Sequence, residues 1–222
     1  HLSLRRQRQM CIRDRVHADA AMYHTKSTGR NGYHFFESSM NINAHNQLQV
    51  IQDLRMALER KEFRLHYQPK FSTSDGVVVG AEALLRWQHP VRGIIAPADF
   101  IGLAEKTGLI VPIGEWVLDE ACRQMRKWYD EGYQQWKMAV NLSSVQFSND
   151  NLVQMVRETL ARNNLPATSL MLEVTESTAM HNVEASLTIL EQLVKLGVEI
   201  SIDDFGTCLL YTSDAADEGL GV

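Results

Sequence analysis

The chain has 222 residues, of which 45% are apolar and 22% charged, and a formal net charge of −5. This composition is ordinary for a soluble globular protein, and the length suffices for one sizeable core. The negative charge argues against a DNA or RNA polymer as the main partner. The sequence shows no signal-peptide pattern and no apolar run near the roughly 18 residues of a membrane helix, which indicates a cytoplasmic protein.

The two ends of the chain are related at the level of DNA. One set of codons for residues 208–218 has a reverse complement that, in a shifted frame, encodes residues 5–14 without a mismatch. This DNA resembles a transposon-type sequencing adapter. We therefore expect residues 1–15 and 208–222 to be translated adapter flanking a metagenomic fragment, so the basic run near the N-terminus is not interpreted as a nucleic-acid patch.

Residues 16–37 predict a short helix that stops near Gly29, followed by a strand at residues 33–36. The segment resembles the closing part of a GGDEF (diguanylate cyclase) domain in its pattern A-D-x-A-M-Y-x-x-K…G-R-N. That resemblance would place Lys26 at a nucleotide phosphate site. Because the signature loop of such a domain is absent, an inactive tail is the simpler interpretation. The polar residues 38–46 then predict a linker.

From residue 47 onwards the pattern predicts an amphipathic helix, two strands joined by a turn at Asp75-Gly76, and two helices. After that, strands alternate with helices of 10–15 residues, which is typical of parallel βα units. The predicted segments are strands 62–69 and 77–87, helices ending at Gly108 and starting near Ile113, strands 138–142, 170–174 and 198–203, and helices 150–163 and 183–196.

Oxygen-bearing side chains recur at the ends of four predicted strands. Asn141 precedes Glu173 by 32 residues, and Glu173 precedes Asp203 by 30. These intervals suit consecutive units of a βα barrel, in which the carboxyl ends of the strands carry the active site. A doubly wound open sheet is the alternative, but no glycine-rich phosphate fingerprint follows a strand.

Glu82, Asn141, Glu173 and Asp203 are hard oxygen donors, the ligand type that Mg²⁺ or Mn²⁺ prefers. Such ions can activate water and clamp a phosphodiester. Arg86, four residues after Glu82, could neutralise a phosphate oxygen. Each residue also has a simpler explanation, because a single carboxylate at a strand end is more often a cap or an ion-pair partner. Their recurrence favours the metal site.

The ordered motifs from residue 47 to 207 resemble those of the EAL domain family: Glu82-Ala83-Leu84 with Arg86-Trp87, Asn141-Leu142-Ser143, Glu173-Val174-Thr175-Glu176 and Asp203-Asp204-Phe205-Gly206-Thr207. The resemblance implies the N-terminal part of a TIM-like (β/α) barrel of α/β class, from a phosphodiesterase that hydrolyses cyclic di-GMP to linear pGpG with Mg²⁺ or Mn²⁺.

The resemblance also implies roles for individual residues. Glu82, Asn141, Glu173 and Asp203 would be metal ligands. Asp204 would act at the second metal or the attacking water, and Glu176 would hold the loop that shapes the metal site. Gln68 and Arg86 would contact the dinucleotide.

The match to the family is incomplete, because its later Lys, its general-base Glu and a further Gln have no counterpart here. We therefore expect the fragment to be inactive and its parent to be a bacterial signalling enzyme with GGDEF and EAL modules, which could form a homodimer. The alternatives are an EAL domain that binds cyclic di-GMP as a receptor without turnover and a structural scaffold for the GGDEF neighbour.

Overall fold

The computed structural model describes residues 38–180 and 183–203, together with Arg15, Ala18, Met22 and Tyr33. Asp204, nearly all of the two expected adapter segments and most of residues 16–37 lie outside the described residues. The chain divides into two units, residues 1–56 and 57–222, and each is considered by itself. No helix of the described residues is both long and apolar enough to cross a membrane.

In the first unit, the described elements amount to one helix, α1, Ser38–Ala57, which ends at the unit boundary. The sequence predicted a helix only from about residue 47. Residues 38–46 are instead helical, although their polar composition predicted a linker without a helix. Their role as a connection between two domains stays a prediction.

The second unit alternates strands with helices. In chain order its elements are β1 (Phe63–Phe71), β2 (Val78–His89), β3 (Gly93–Ile95), α2 (Pro97–Thr107), α3 (Ile110–Asp130), β4 (Lys137–Leu142), α4 (Ser144–Phe147), α5 (Leu152–Arg162), a 3₁₀ turn (Ala167–Ser169), β5 (Leu170–Thr175), α6 (Glu176–Met180), α7 (Val183–Leu196) and β6 (Glu199–Asp203). The strands and longer helices predicted for this unit are all present. The short elements β3, α4 and α6 were not predicted.

All the described strands belong to one mixed sheet with the order β1-β2-β4-β5-β6, and β3 pairs with the end of β2. Strand β1 runs antiparallel to β2, whereas β2, β4, β5 and β6 are parallel to their neighbours. The parallel pairing follows from the helical crossovers, which return the chain to the same end of the sheet. Carboxyl ends of four strands therefore meet at one edge.

One face of the sheet is apolar and covered by helices. Side chains of β4 and β5 that point to this face are buried, namely Met138, Val140, Leu142, Leu170, Leu172 and Val174. Where β1 and β2 form the other side of the sheet, Phe63, Trp87 and Phe100 pack with ring centroids 5.5–6.1 Å apart. Trp87 Nε1 also donates to a carboxylate oxygen of buried Glu62 at 2.9 Å, so the indole donor of Trp87 is satisfied within the aromatic core.

The close approach of β2 and β4 depends on Gly80. A Cβ atom at this position would lie 2.1 Å from the carbonyl oxygen of Lys137, which is backbone and cannot rotate away. Gly80 and Lys137 are also the first partners of the β2–β4 ladder. The absence of a side chain is therefore required where the parallel pairing begins.

Gly80→Ala is expected to lower the free energy of unfolding by about 1–3 kcal/mol, the usual cost of overpacking. The measurement is urea unfolding followed by circular dichroism. Gly102→Ala in α2 is the matched control, since no heavy atom lies within 4 Å of its Cβ and alanine favours helix by up to about 1 kcal/mol. Equal destabilisation by both substitutions would contradict this account of Gly80.

Cys122 is buried on α3, and burial, with a smaller contribution from Asp119, raises the pKa of its thiol to about 12. We expect the Cys122 peptide to resist alkylation by iodoacetamide at pH 8 in the folded chain and to react fully in urea, as read by mass spectrometry. Because the folded-state pKa is the higher one, the associated stability is present below about pH 9 and is lost as the pH rises towards 12. Rapid native alkylation at pH 8 would be inconsistent with this burial.

Candidate active site

The four predicted metal ligands lie on one face of the sheet. Asn141 pairs in register with Glu173, and Glu82 pairs with Ala139, two residues before Asn141. Thr175, two residues after Glu173, pairs with Asp203. Because side chains alternate along a strand, this register turns all four donors towards the same side, opposite the helix-covered face. We call it the polar face; it carries Gln68, Lys70, Glu82, Arg86, Asn141, Glu173 and Asp203.

Glu82 and Asn141 are in direct contact on neighbouring strands. The Nδ2 amide of Asn141 donates a hydrogen bond to Oε1 of Glu82 at 2.7 Å. This bond orients the amide so that its oxygen is available to another partner. The first two predicted donors thus come together in the structure.

Glu173 has a different partner. Its carboxylate forms an ion pair with the ammonium group of Lys70, which is located on β1. Glu173 is buried, and an isolated buried carboxylate would be costly, so the lysine provides the charge that this position needs. Sequence reasoning missed Lys70. Its position two residues after Gln68, on the same side of a strand, is the signal that could have found it.

The residues can be compared with what a divalent metal site requires. In the described part of the chain, no three or more His, Cys, Asp and Glu side chains are grouped closely enough to hold a metal ion. The Glu82–Asn141 pair nevertheless supplies hard oxygen atoms, with Glu173 and Asp203 on the same face. The donor chemistry therefore fits Mg²⁺ or Mn²⁺, whereas a compact set of all four ligands stays a prediction.

Gln68 and Arg86 also belong to the polar face. Gln68 is directly opposite Glu82 in the β1–β2 ladder, and Arg86 lies four residues beyond Glu82 on β2. One guanidinium nitrogen of Arg86 donates to the carbonyl oxygen of Leu85 at 2.8 Å, which leaves other donors of the group for a ligand. This face can thus present amide and guanidinium groups beside carboxylates.

Glu176 begins α6 directly after β5 and is almost completely buried. Its neighbours Thr175 and Thr178 are joined through their hydroxyl groups at 2.8 Å, which tightens the turn from strand to helix. Burial of a carboxylate in this turn agrees with a structural role for Glu176 in the loop that follows Glu173.

The strand end at Asn141 is held by a capping box. Ser143 Oγ accepts from the backbone N–H of Gln146, and the Gln146 side chain accepts from the backbone N–H of Ser143. Gln146 is buried against Gly114 of α3, where a Cβ would lie only 1.8 Å from its Nε2. This packing sets where the chain turns two residues after Asn141.

Cavities border both sides of the sheet. One of about 420 Å³ opens on the polar face at the N-terminal ends of the parallel strands and is lined by Lys70, Lys137 and Glu199, among others. A larger groove of about 560 Å³ lies between β1 and α3, and none of the predicted site residues lines it. A third cavity, of about 290 Å³, lies between α2, α3 and the carboxyl ends of β2 and β4, and Asn141 is among its lining residues.

The sequence model of the EAL domain family matches residues 51–214. The chain belongs to the EAL domain family. The match covers the predicted EAL-like region, residues 47–207, with small differences at both ends.

Curated relatives are similar over most of the chain. The bifunctional diguanylate cyclase/cyclic di-GMP phosphodiesterase MucR of Pseudomonas aeruginosa is 63% identical over 199 residues, which cover 88% of this chain and 29% of that protein. The cyclic di-GMP phosphodiesterase PdeR of Escherichia coli is 41% identical over 191 residues, covering 86% of this chain and 29% of that protein. The EAL chain thus spans less than a third of the length of these relatives.

Solved EAL structures share the fold. The PaMucR phosphodiesterase in complex with c-di-GMP matches with a TM-score of 0.70 and 60% identity, over 74% of this chain and 68% of that chain. The FimX EAL domain from Pseudomonas aeruginosa bound to c-di-GMP matches with a TM-score of 0.66 and 28% identity, over 75% and 66%. These neighbours are TIM-like barrels, so the predicted α/β fold is confirmed.

Proposed function

We propose that this chain is the N-terminal part of a metal-dependent phosphodiesterase domain, whose parent protein hydrolyses cyclic di-GMP to linear pGpG. The observation that carries the proposal is the polar face, where four oxygen donors from successive parallel strands stand beside Gln68 and Arg86. The names of the EAL relatives, several of which are cyclic di-GMP phosphodiesterases, support the same substrate and reaction.

In this proposal Glu82, Asn141, Glu173 and Asp203 would hold Mg²⁺ or Mn²⁺, and Asp204 would act at a second ion or the attacking water. Such ions supply a nucleophilic water at neutral pH and neutralise charge on the phosphodiester. The hydrogen bond from Asn141 holds the carboxylate of Glu82 in one orientation, which reduces the reorganisation needed for binding.

The remaining site residues act on the dinucleotide and on the loop. Arg86 binds a phosphate oxygen through charge-assisted hydrogen bonds, and Gln68, opposite Glu82, offers its amide to the same ligand. Glu176, buried at the start of α6, positions the turn that follows the strand of Glu173. Each role uses a group that is already on, or directly beside, the polar face.

A receptor that binds cyclic di-GMP without hydrolysis is the second candidate function. The solved FimX EAL domain, 28% identical, is bound to c-di-GMP, and this supports binding of the same dinucleotide by the present domain. The presence of Glu82, Asn141, Glu173 and Asp203 favours the enzyme, because a receptor needs no set of metal donors.

The parent protein is proposed to carry a GGDEF module before the EAL domain. The alignment with MucR covers 88% of the chain, which is more than residues 51–222 can supply, so it extends into the first 50 residues. MucR is named as a bifunctional diguanylate cyclase/cyclic di-GMP phosphodiesterase, and this supports reading residues 16–37 as a GGDEF tail.

The enzyme and receptor hypotheses are separated by Glu82→Gln in the full-length parent. Loss of one metal donor should lower kcat for cyclic di-GMP with Mn²⁺ by about a hundredfold or more, measured by chromatography of pGpG. Calorimetry in EDTA should show that the variant still binds the dinucleotide. Glu199→Gln, on the same face but paired with Lys137, is the control and should keep most of the activity. A wild-type parent that binds cyclic di-GMP but never hydrolyses it would be a receptor.

The 222-residue chain itself is expected to produce no pGpG above background with Mn²⁺. It lacks the family's general-base Glu, a loss that alone lowers the rate by about 10²–10⁴. It also covers 68% of the solved PaMucR chain, so part of the barrel that would fix the ligand geometry is missing. The assay compares the purified chain with the parent at equal concentration. Turnover by the chain would show that the missing part is dispensable.

A further inference from the structure

The ion pair between Lys70 and Glu173 spans the polar face. Lys70 is on β1 and Glu173 on β5, and β2 and β4 lie between these strands. Adjacent strands are about 4.8 Å apart, so a flat sheet would separate β1 from β5 by roughly 14 Å. The sheet must therefore curl towards the polar face to bring the ammonium and carboxylate groups together.

The environment of this pair differs from that of a second ion pair on the same face. The Glu173 side chain is only 8% exposed, and that of Lys70 is 38% exposed. Lys137 and Glu199, at the N-terminal ends of their strands, also pair but are 43% and 44% exposed. Water screens the second pair, whereas loss of Lys70 would leave a buried carboxylate without its positive partner.

We propose that Lys70 is the counter-ion of Glu173 when no divalent metal is bound, and that metal binding displaces it. This inference rests on the metal site proposed above. A divalent ion and an ammonium group at the same carboxylate repel each other, so each weakens the binding of the other. Lys70 is thus a positioning residue, which keeps Glu173 in place on the polar face and sets how tightly the site takes a metal.

The test uses the 222-residue chain and Lys70→Met, which keeps most of the side-chain length and removes the charge. In EDTA the substitution should lower the melting temperature by at least about 5 °C, because the Glu173 carboxylate loses its partner. Titration with Mn²⁺, read by electron paramagnetic resonance of the free ion, should show binding about tenfold tighter or more than in the wild type.

Two variants control for charge and position. Lys137→Met removes the same charge from the same face, but away from Glu173, and should change Mn²⁺ affinity by less than about twofold. Lys70→Arg keeps the positive charge and should retain wild-type stability and affinity. Tighter binding confined to Lys70→Met supports the displacement.

If Lys70→Met does not fold in EDTA, the double variant Lys70→Met/Glu173→Gln decides the matter. Recovery of folding by the second substitution supports the counter-ion role, and continued unfolding contradicts it. Wild-type chain that binds no Mn²⁺ at millimolar concentration would overturn the metal site together with the displacement. Wild-type binding with equal affinities for Lys70→Met and Lys137→Met would overturn the displacement alone and leave the proposed function standing.

Discussion

The structure of this EAL domain depends on the register of four parallel strands, β2, β4, β5 and β6. Side chains alternate between the two faces of the sheet along each strand. The register places the polar side chains of neighbouring strands on one face and their apolar side chains on the other. Apolar residues such as Val140 and Leu172 are thereby buried under helices, while Asn141 and Glu173 emerge together on the other side. A slip of one residue in one strand would exchange the two sets and remove both the core and the site.

Polar residues gathered on one concave face need partners, and the structure shows how they are satisfied. Asn141 donates to Glu82 between neighbouring strands, and Lys70 reaches Glu173 across two intervening strands. Lys137 and Glu199 form a further pair nearer the N-terminal strand ends. A face with closely spaced charges of both signs can exchange an internal cation for a metal ion and an internal anion for a phosphate. The same property would serve hydrolysis or binding of a cyclic dinucleotide.

The surroundings of the site are built to hold these side chains still. The capping box of Ser143 and Gln146 fixes the turn after β4, and the buried Glu176 lies in the turn after β5. Gly80 allows β2 and β4 to approach closely just before Glu82. These are backbone devices next to the donors, and they limit the freedom of the strands on which the geometry of the proposed site depends.

The sequence by itself determined the strand and helix order and the four oxygen donors, because periodicity and spacing are local properties of the chain. The intervals from Asn141 to Glu173 and from Glu173 to Asp203 were enough to place these residues on one face, near the carboxyl ends of neighbouring strands. The tertiary structure alone decided that Lys70 pairs with Glu173. These residues are 103 positions apart on strands that are not neighbours in the sheet, and only the curl of the sheet sets the distance between them. The same holds for Gly80, because a backbone oxygen of a different strand leaves no room for a side chain at this position.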